Sequence, residues 1–323
     1  MIWAIKGREF NSPHLAMLDK VREVPILSAG RLDRKVRRIV GVGFHGLEET
    51  LFGGFDPATH LSEHPIHELL GVDLSTYGDP GLKQTVGNWT NVDPGNEVPL
   101  VVELDDLIRL HHLVLSRRVT TILEFGVGKS TTVLAHALAI NEERDAGIVA
   151  AGMRRSNPFE LHSVDNYTSW IETVSQGLPE FLSHRCHMHY CPLEIGEFAG
   201  RLCTYYRNLP NLAPDLIYLD GPDQFSAEGD LRGLTTAHPD RMPMAADILV
   251  FEHFLTPGTL IVVDGRTANA RFLAANLQRR WSYWHAVAFD QHFFELVETP
   301  LGPHNARQVE HCLGDEFSVR SRI

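Results

Sequence analysis

Apolar and polar positions along this 323-residue chain follow two regimes that change near residue 100. Beyond that point helix-like and strand-like segments alternate. Leu100–Arg117 carries apolar residues at 100, 101, 104, 107, 108 and 110, the spacing of one helix face. Thr120–Phe125 is a short apolar strand, and Ser130–Ile140 is a helix that starts just after a Gly-rich turn. Leu161–Val164 reads as a second strand, Asn166–Val174 opens a helix, and Cys186–Cys191 alternates like a third strand. Leu216–Leu219 is a strand ending in Asp220-Gly221. Ala245–Leu255 reads as a helix, and Thr259–Val263 as a buried strand ending in Asp264-Gly265. After a helix over Asn269–Arg280, Trp281–Phe289 and Phe293–Val297 form a strand pair joined at Asp290–His292. Strand–helix alternation builds a parallel sheet covered by helices on both faces. The expected fold is therefore doubly wound α/β, a mostly parallel seven-stranded sheet closed by a C-terminal antiparallel hairpin.

Upstream the pattern is weaker, with scattered Gly and Pro and a loop-like stretch at Tyr77–Pro99. The chain thus divides into an N-terminal extension, 1–98, a core domain, 99–300, and a tail, 301–323. We expect the extension to cover a substrate or to form a homo-oligomer contact. Net charge is −12, a poor basis for wrapping nucleic acid. Four cysteines in a chain of this length do not make a disulfide framework. The longest apolar stretch, Ile248–Val263, is broken by Glu252, His253 and Pro257-Gly258, so no membrane span is expected. These features suggest a cytoplasmic protein whose partner is a small molecule.

In an open α/β sheet, ligands sit beyond the carboxyl ends of the strands where strand order reverses, so strand ends carry the candidate chemistry. The first strand runs into Glu124-Phe125-Gly126-Val127-Gly128-Lys129-Ser130-Thr131. Its glycines permit a tight turn and close ligand approach, and the following helix N-terminus offers N–H groups to a carboxylate. The second strand ends in Asp165-Asn166, where a carboxylate can accept from ribose hydroxyls.

ILEFGVGKSTTVLA, LHSVDN and PDLIYLDGPDQF, in that order and followed by the hairpin, resemble the class I S-adenosylmethionine-dependent methyltransferases over roughly residues 100–299. Small-molecule, sugar-type O-methyltransferases are the nearest likeness. The resemblance implies S-adenosylmethionine as cofactor. Glu124, Gly126 and Gly128 would surround its methionine part and Asp165 its ribose, with Phe125, Ser130, Thr131, Asn166 and Asp220 as further cofactor-binding candidates. Asp220 reads otherwise as a turn former or a partner for the cofactor's ammonium.

A hydroxyl acceptor must be aligned with the methyl and must lose a proton, to a side-chain base or with help from a divalent cation. Asp220 and Asp264 end adjacent strands, and together they suggest Mg²⁺ or a direct base. Metal-dependent relatives commonly carry an acidic or amide residue directly after the second Asp. Here Gly265 and Arg266 follow. His292 and His253 are further candidate bases. Arg266, Asn269 and Arg271 are candidates for holding an anionic substrate group.

Three other patterns read as decoys. Gly128-Lys129-Ser130 lacks the earlier glycine of a phosphate-binding loop, since Leu123 stands there. Gly41-Val42-Gly43-Phe44-His45-Gly46 is a literal dinucleotide fingerprint, but the segment after it reaches only Phe52 before Gly53-Gly54, too short for a crossover helix. His184–Cys191 holds several metal-ligand types, with His187, His189 and Cys191 on one strand face. It has no second Cys/His cluster at finger spacing, so an ordinary strand is expected. The basic run at Arg31, Arg34, Lys35, Arg37 and Arg38 reads as a solvated face or oligomer contact. The expected function is O-methylation of a small hydroxylated acceptor such as a sugar or glycoconjugate unit. The alternatives are a Rossmann-type nucleotide-cofactor oxidoreductase and a non-catalytic protein of the same fold.

Overall fold

The computed structural model describes residues 44–74 and 103–321. The basic run, the first part of the Gly41–Gly46 motif and the Tyr77–Pro99 stretch lie outside the described residues. One seven-stranded sheet organises the rest, in the order β3 (Cys186–Tyr190), β2 (Glu160–Asp165), β1 (Thr121–Phe125), β6 (Leu216–Leu219), β7 (Leu260–Asp264), β9 (Gln291–Leu296), β8 (Trp281–Ala286). Every pairing from β3 to β7 is parallel, while β9 runs antiparallel to both β7 and β8. This is the doubly wound, Rossmann-like arrangement with the closing antiparallel pair expected of the methyltransferase fold.

Side-chain alternation assigns the two faces. Ile122, Leu161, Leu216, Tyr218, Leu260, Val262 and Phe293 enter one core, and Leu123, Phe125, Val164, Ile217, Leu219, Ile261, Val263 and Phe294 enter the other. Because both faces are buried, the central strands read as continuous apolar runs rather than alternating ones.

Ten described helices accompany the sheet. α1 (Phe44–Phe52), α2 (Pro57–Glu63) and α3 (Ile66–Leu70) precede α4 (Leu104–Ser116) and α5 (Lys129–Gly152). α6 (Thr168–Gly177), α7 (Glu180–Ser183), α8 (Asp247–Phe251), α9 (Thr267–Asn276) and α10 (Pro303–Arg320) complete the set. α1 ends at Phe52 and is followed by α2 rather than by a parallel strand, so the Gly41–Gly46 motif opens no strand–helix–strand unit. The α2–α3 pair packs Leu61, Ile66 and Leu70 against Leu104, Leu107, Ile108 and Val133. Leu104 and Val133 lie within the first two turns of α4 and α5, so this segment sits at the end of the sheet where the candidate chemistry lies. A histidine row joins the same elements, with His60 Nε2 2.9 Å from His111 Nδ1 and His111 Nε2 3.0 Å from His136 Nδ1.

Several boundaries differ from expectation. α5 continues twelve residues beyond Ile140, because polar Asn141 and Asp145 turn inward and are bonded rather than ending the helix. Asn141 donates to the carbonyls of Val114 and Val119, each at 2.9 Å, and Arg144 pairs with Asp145. The 245–255 segment holds a five-residue helix and a 3₁₀ turn, Glu252–Phe254. β8 stops at Ala286, and Asp290, at φ 51°, makes the turn, which places His292 inside β9 rather than in the loop. A separate antiparallel hairpin, β4 (Leu193–Phe198) with β5 (Arg201–Tyr206), stands in the connection from β3 to β6, where no strands are expected from the sequence. Within the C-terminal tail, α10 buries Val309 and Phe317 and ties to the sheet through Arg320 and Glu295.

Candidate active site

Strand order reverses between β1 and β6, and the backbones of their two exit loops touch there. Gly126 has φ +97°, and a Cβ built on it would lie 2.8 Å from Gly221 N. The reverse holds for Gly221, whose Cβ would lie 2.7 Å from Gly126 N. Both positions therefore exclude any side chain because two loops meet, and Gly126 needs its positive φ as well. The amides of Asp220 and Gly221 donate to Phe125 O at 2.9 and 2.6 Å, stitching the junction. Gly128 differs. It is extended, and a Cβ there would meet nothing closer than Ser130 Oγ at 3.8 Å. Gly128 thus keeps open the space beside the N-terminus of α5. Phe125 is fully buried against Tyr206 and contributes backbone, not side chain, to the loop.

Glu124 lies under this loop rather than at its surface. It is wholly buried and accepts hydrogen bonds from Ser130 Oγ, Thr131 Oγ1 and Ser163 Oγ at 2.5, 2.7 and 2.5 Å. Burial pushes its carboxyl up to about 7, against three hydroxyls that favour the charge. Thr131 Oγ1 also accepts from Gly128 N at 3.0 Å. Glu124, Ser130 and Thr131, expected around a cofactor, hold the turn through these bonds. Lys129 is exposed, as a solvated helix-start residue should be.

Asp165 is buried at the end of β2. Its oxygens accept from the amides of Val127 and Tyr167, each at 2.9 Å, and from Asn166. A carboxylate offers about four acceptor sites, so roughly one remains for a ribose hydroxyl. Asn166 is half-buried beside it and Tyr167 is exposed, close to Asp223 and Ser226. Trp170 donates its indole N–H to Val127 O. Tyr167 and Trp170 carried no signal in the sequence beyond following Asp165 by two and five positions.

The floor of the cleft is formed by the ends of β6 and β7. Half-buried Asp264 is raised first by desolvation, and Asp220, raised by desolvation and by the charge of Asp264, has a side chain 53% exposed at the mouth of the cleft. Tyr218, alternating with Asp220 on β6, donates to Asp264 Oδ2, and Gln291 of β9 also bonds Asp264. Gln291 in turn accepts from Arg109 Nε at 3.1 Å. Arg109 pairs with Asp106 on α4 and stacks 4.1 Å above the centre of the Phe289 ring. Asp106 is raised by burial, by a shared hydrogen bond with Glu103 and by Asp264. Around Asp264 and Asp106, carboxylates crowd one partnered guanidinium, that of Arg109. Sequence reasoning missed Tyr218, Gln291, Asp106 and Arg109. Tyr218 was the findable one, since a hydroxyl inside a buried central strand must have a partner.

Does this donor set fit Mg²⁺? Arg266 places its guanidinium on the carbonyls of Asp220 and Pro222, with Nε 3.6 Å from Asp220 Oδ1. A fixed cation thus already stands against one carboxylate, the other is engaged by Tyr218 and Gln291, and Gly265 supplies no further oxygen ligand. With one carboxylate held against a guanidinium and the other engaged by two donors, the pair does not fit a Mg²⁺ that would rely on both.

The remaining candidates fall away from the cleft or into structural tasks. Arg266 clasps the β6 and β7 exit loops together. Asn269 is fully buried and bonds Ala245 N and O at 2.8 and 2.9 Å. Arg271 is exposed on α9, near Tyr283 and His292. His292 is fully buried, with Nδ1 2.9 Å from Tyr283 Oη and Nε2 3.0 Å from Thr267 Oγ1. Burial lowers it to about 4, and with both nitrogens engaged it is not placed to take a proton from an acceptor. His253 is exposed just before β7 begins, at the end of the sheet opposite the cleft. No described helix is long and apolar enough to cross a membrane.

No known family profile matches this sequence, and no curated protein matches it. Among solved structures, it is similar to the O-methyltransferase TomG from Streptomyces achromogenes, involved in tomaymycin synthesis and determined with S-adenosylmethionine. That likeness has 17% identity and TM-score 0.34, and covers 68% of this chain and 89% of TomG. A provisionally named O-methyltransferase from Klebsiella pneumoniae gives 14% identity and TM-score 0.32, over 74% of this chain and 99% of the other. A provisionally named caffeoyl-CoA O-methyltransferase from Staphylococcus aureus gives 13% and 0.34, over 74% and 99%.

Proposed function

We propose that this chain is an S-adenosylmethionine-dependent methyltransferase acting on a hydroxyl of a small polar acceptor such as a sugar unit. The observation that carries this reading is the β1–β6 junction. An open Gly128 and a helix N-terminus stand beside Asp165 there, in a sheet closed by an antiparallel β9. A dinucleotide oxidoreductase would keep its sixth strand parallel. The residues at the junction fit the cofactor: Gly128 leaves room for its amino-acid part, and Asp165 retains an acceptor site for ribose.

Bound S-adenosylmethionine supplies an electrophilic methyl. The chain's own residues then have to hold the acceptor oxygen in line and remove its proton. Asp264 is the base in this scheme. Burial raises it, which makes its carboxylate a stronger proton acceptor, and Tyr218 and Gln291 fix its orientation. The polar floor suits a polyol, whose several hydroxyls can pair with Asp220, Asp106 and Arg109.

Calorimetric titration of the full chain with S-adenosylmethionine, S-adenosylhomocysteine and NAD tests the cofactor. The first two should bind and NAD should not; NAD binding alone would overturn the assignment. Methyl transfer to sugar acceptors should survive a chelator. Activity lost to a chelator and restored by Mg²⁺ would instead make Asp220 and Asp264 metal ligands.

A further inference from the structure

On the sheet face opposite α5 and α6, the edge pair β2–β3 gathers a cluster that the methyl-transfer scheme does not use. In the parallel register His162 stands directly beside His187, and Glu160 and His189 flank them on the same face. Sequence spacing had isolated the 184–191 run from any ligand partner. The sheet supplies the partners from the neighbouring strand.

We propose that Glu160, His162 and His187 form a site for a Zn²⁺-type dication, with His189 and Asn157 orienting the ligands. Glu160 Oε2 lies 3.0 Å from His162 Nε2 and 3.6 Å from His187 Nε2. All three donor atoms fall within 4.8 Å of one another. A tetrahedral zinc with bonds of about 2.0–2.1 Å sets neighbouring donors about 3.3 Å apart, so only small side-chain adjustments separate this arrangement from a loaded one. His187 Nε2 is shielded from solvent and has no hydrogen-bond partner. Buried ring nitrogens left unpaired are uncommon, and an ion would satisfy this one.

The surroundings match what a metal site needs. His162 Nδ1 lies 3.1 Å from His189 Nε2, so a proton on Nδ1 can be donated to His189 while Nε2 keeps its lone pair for the ion. Asn157 Nδ2 donates to Glu160 Oε2 at 2.7 Å and orients the carboxylate. The three rings stack, His162 against His187 at 4.7 Å and against His189 at 5.3 Å between centroids. Side chains of Glu160 and His187 are 30% and 41% exposed, so a fourth position remains open to water. Two imidazoles, one carboxylate and a water make an N/O set suited to zinc. Its structural effect is to clamp edge strand β3 to β2, the strand that carries Asp165. The site stands independently of the methyl-transfer reading.

The test uses the full chain, stripped with a chelator and titrated with Zn²⁺ by calorimetry and with Co²⁺ by visible absorption. One equivalent should bind with micromolar or tighter affinity, with the intense bands of low-coordinate Co²⁺, and the melting temperature should rise by several degrees. His162→Gln and His187→Gln should each weaken binding about 100-fold or more. His285→Gln, in the second His-rich cluster with Asp290 and His292, should leave it unchanged. X-ray absorption of the zinc-loaded wild-type chain should show two imidazoles and oxygen ligands, a readout that needs no variant to fold. Absence of stoichiometric binding, a first shell without imidazole, or undiminished affinity in the folded His162→Gln/His187→Gln double variant would overturn the proposal. The cluster would then be a hydrogen-bonded network only.

Discussion

The two ends of this sheet treat buried carboxylates in opposite ways. At the end away from the cleft, Glu295 of β9 is fully buried yet held below the usual range, because Arg117 and Arg320 both pair with it and outweigh its desolvation. At the cleft end, Asp264 on the adjacent strand is raised, along with Asp106 and Asp220. Glu295 and Asp106 are both buried, so burial alone does not distinguish the two ends; the supply of cations does. One end balances its charge and gains stability. The other leaves charge under-compensated, which is how carboxylates are prepared for proton transfer.

The sharpest way to break this contrast is Asp264→Asn. If the raised carboxylate is the base, turnover should fall by about 10²–10⁴-fold, while the melting temperature stays level or rises because a half-buried, under-compensated acid has been neutralised. Equal turnover in wild type and variant, measured with saturating cofactor, would remove Asp264 from the chemistry. The mirror experiment is Arg117→Ala. Leaving Glu295 with only Arg320 should cost on the order of 3–5 kcal/mol in denaturant unfolding, with the specific activity of the remaining folded protein unchanged.

A smaller effect separates the two motif glycines. Gly126→Ala should destabilise by about 1–3 kcal/mol, since its Cβ meets the Gly221 backbone at a positive φ. Gly128→Val, in open space, should leave the melting temperature nearly unchanged and weaken S-adenosylmethionine binding. If both substitutions act alike in melting and in calorimetry, the division between a structural and a ligand-facing glycine is wrong. The smallest effect is one of pH. Glu295 has a folded value below its unfolded 4.5, so its contribution is present above about 4.5 and disappears as pH falls through the lower, folded value. Between those values Arg117→Ala should flatten the acid slope of stability, and an unaltered slope would assign acid unfolding to other groups.

How much of this could be read from the chain depended on which physics was local. The strands at 121–125, 216–219 and 260–264 are short apolar runs bounded by turn residues, and their positions are legible directly. The β4–β5 hairpin is not, because it is half-exposed and mixes Glu194, Glu197 and Arg201 among its apolar positions. Asp220, Asp264 and Asp165 are legible as strand-terminal acids. Glu124, Ser130 and Thr131 were legible as a cluster but not in their task, since only the folded loop shows their groups turned toward one another. Arg266 and Asn269 looked like ligand contacts for the same reason: sequence gives the proximity of a polar group to the cleft, whereas its partner comes from a distant element. The β2–β3 histidines are the clearest case. Register between two strands more than twenty residues apart decides whether they are scattered or convergent.

The placement of β9 also bears on how the molecule assembles as it is made. This strand is synthesised after β8 but lies between β7 and β8 in the sheet. Until it emerges, β7 presents an unpaired hydrogen-bonding edge and β8 has nothing to dock against, although every other sheet strand is already available. A nascent chain arrested before residue 291 should therefore hold a five-stranded sheet with a sticky border, the state in which chaperone capture or edge-to-edge association would be most consequential.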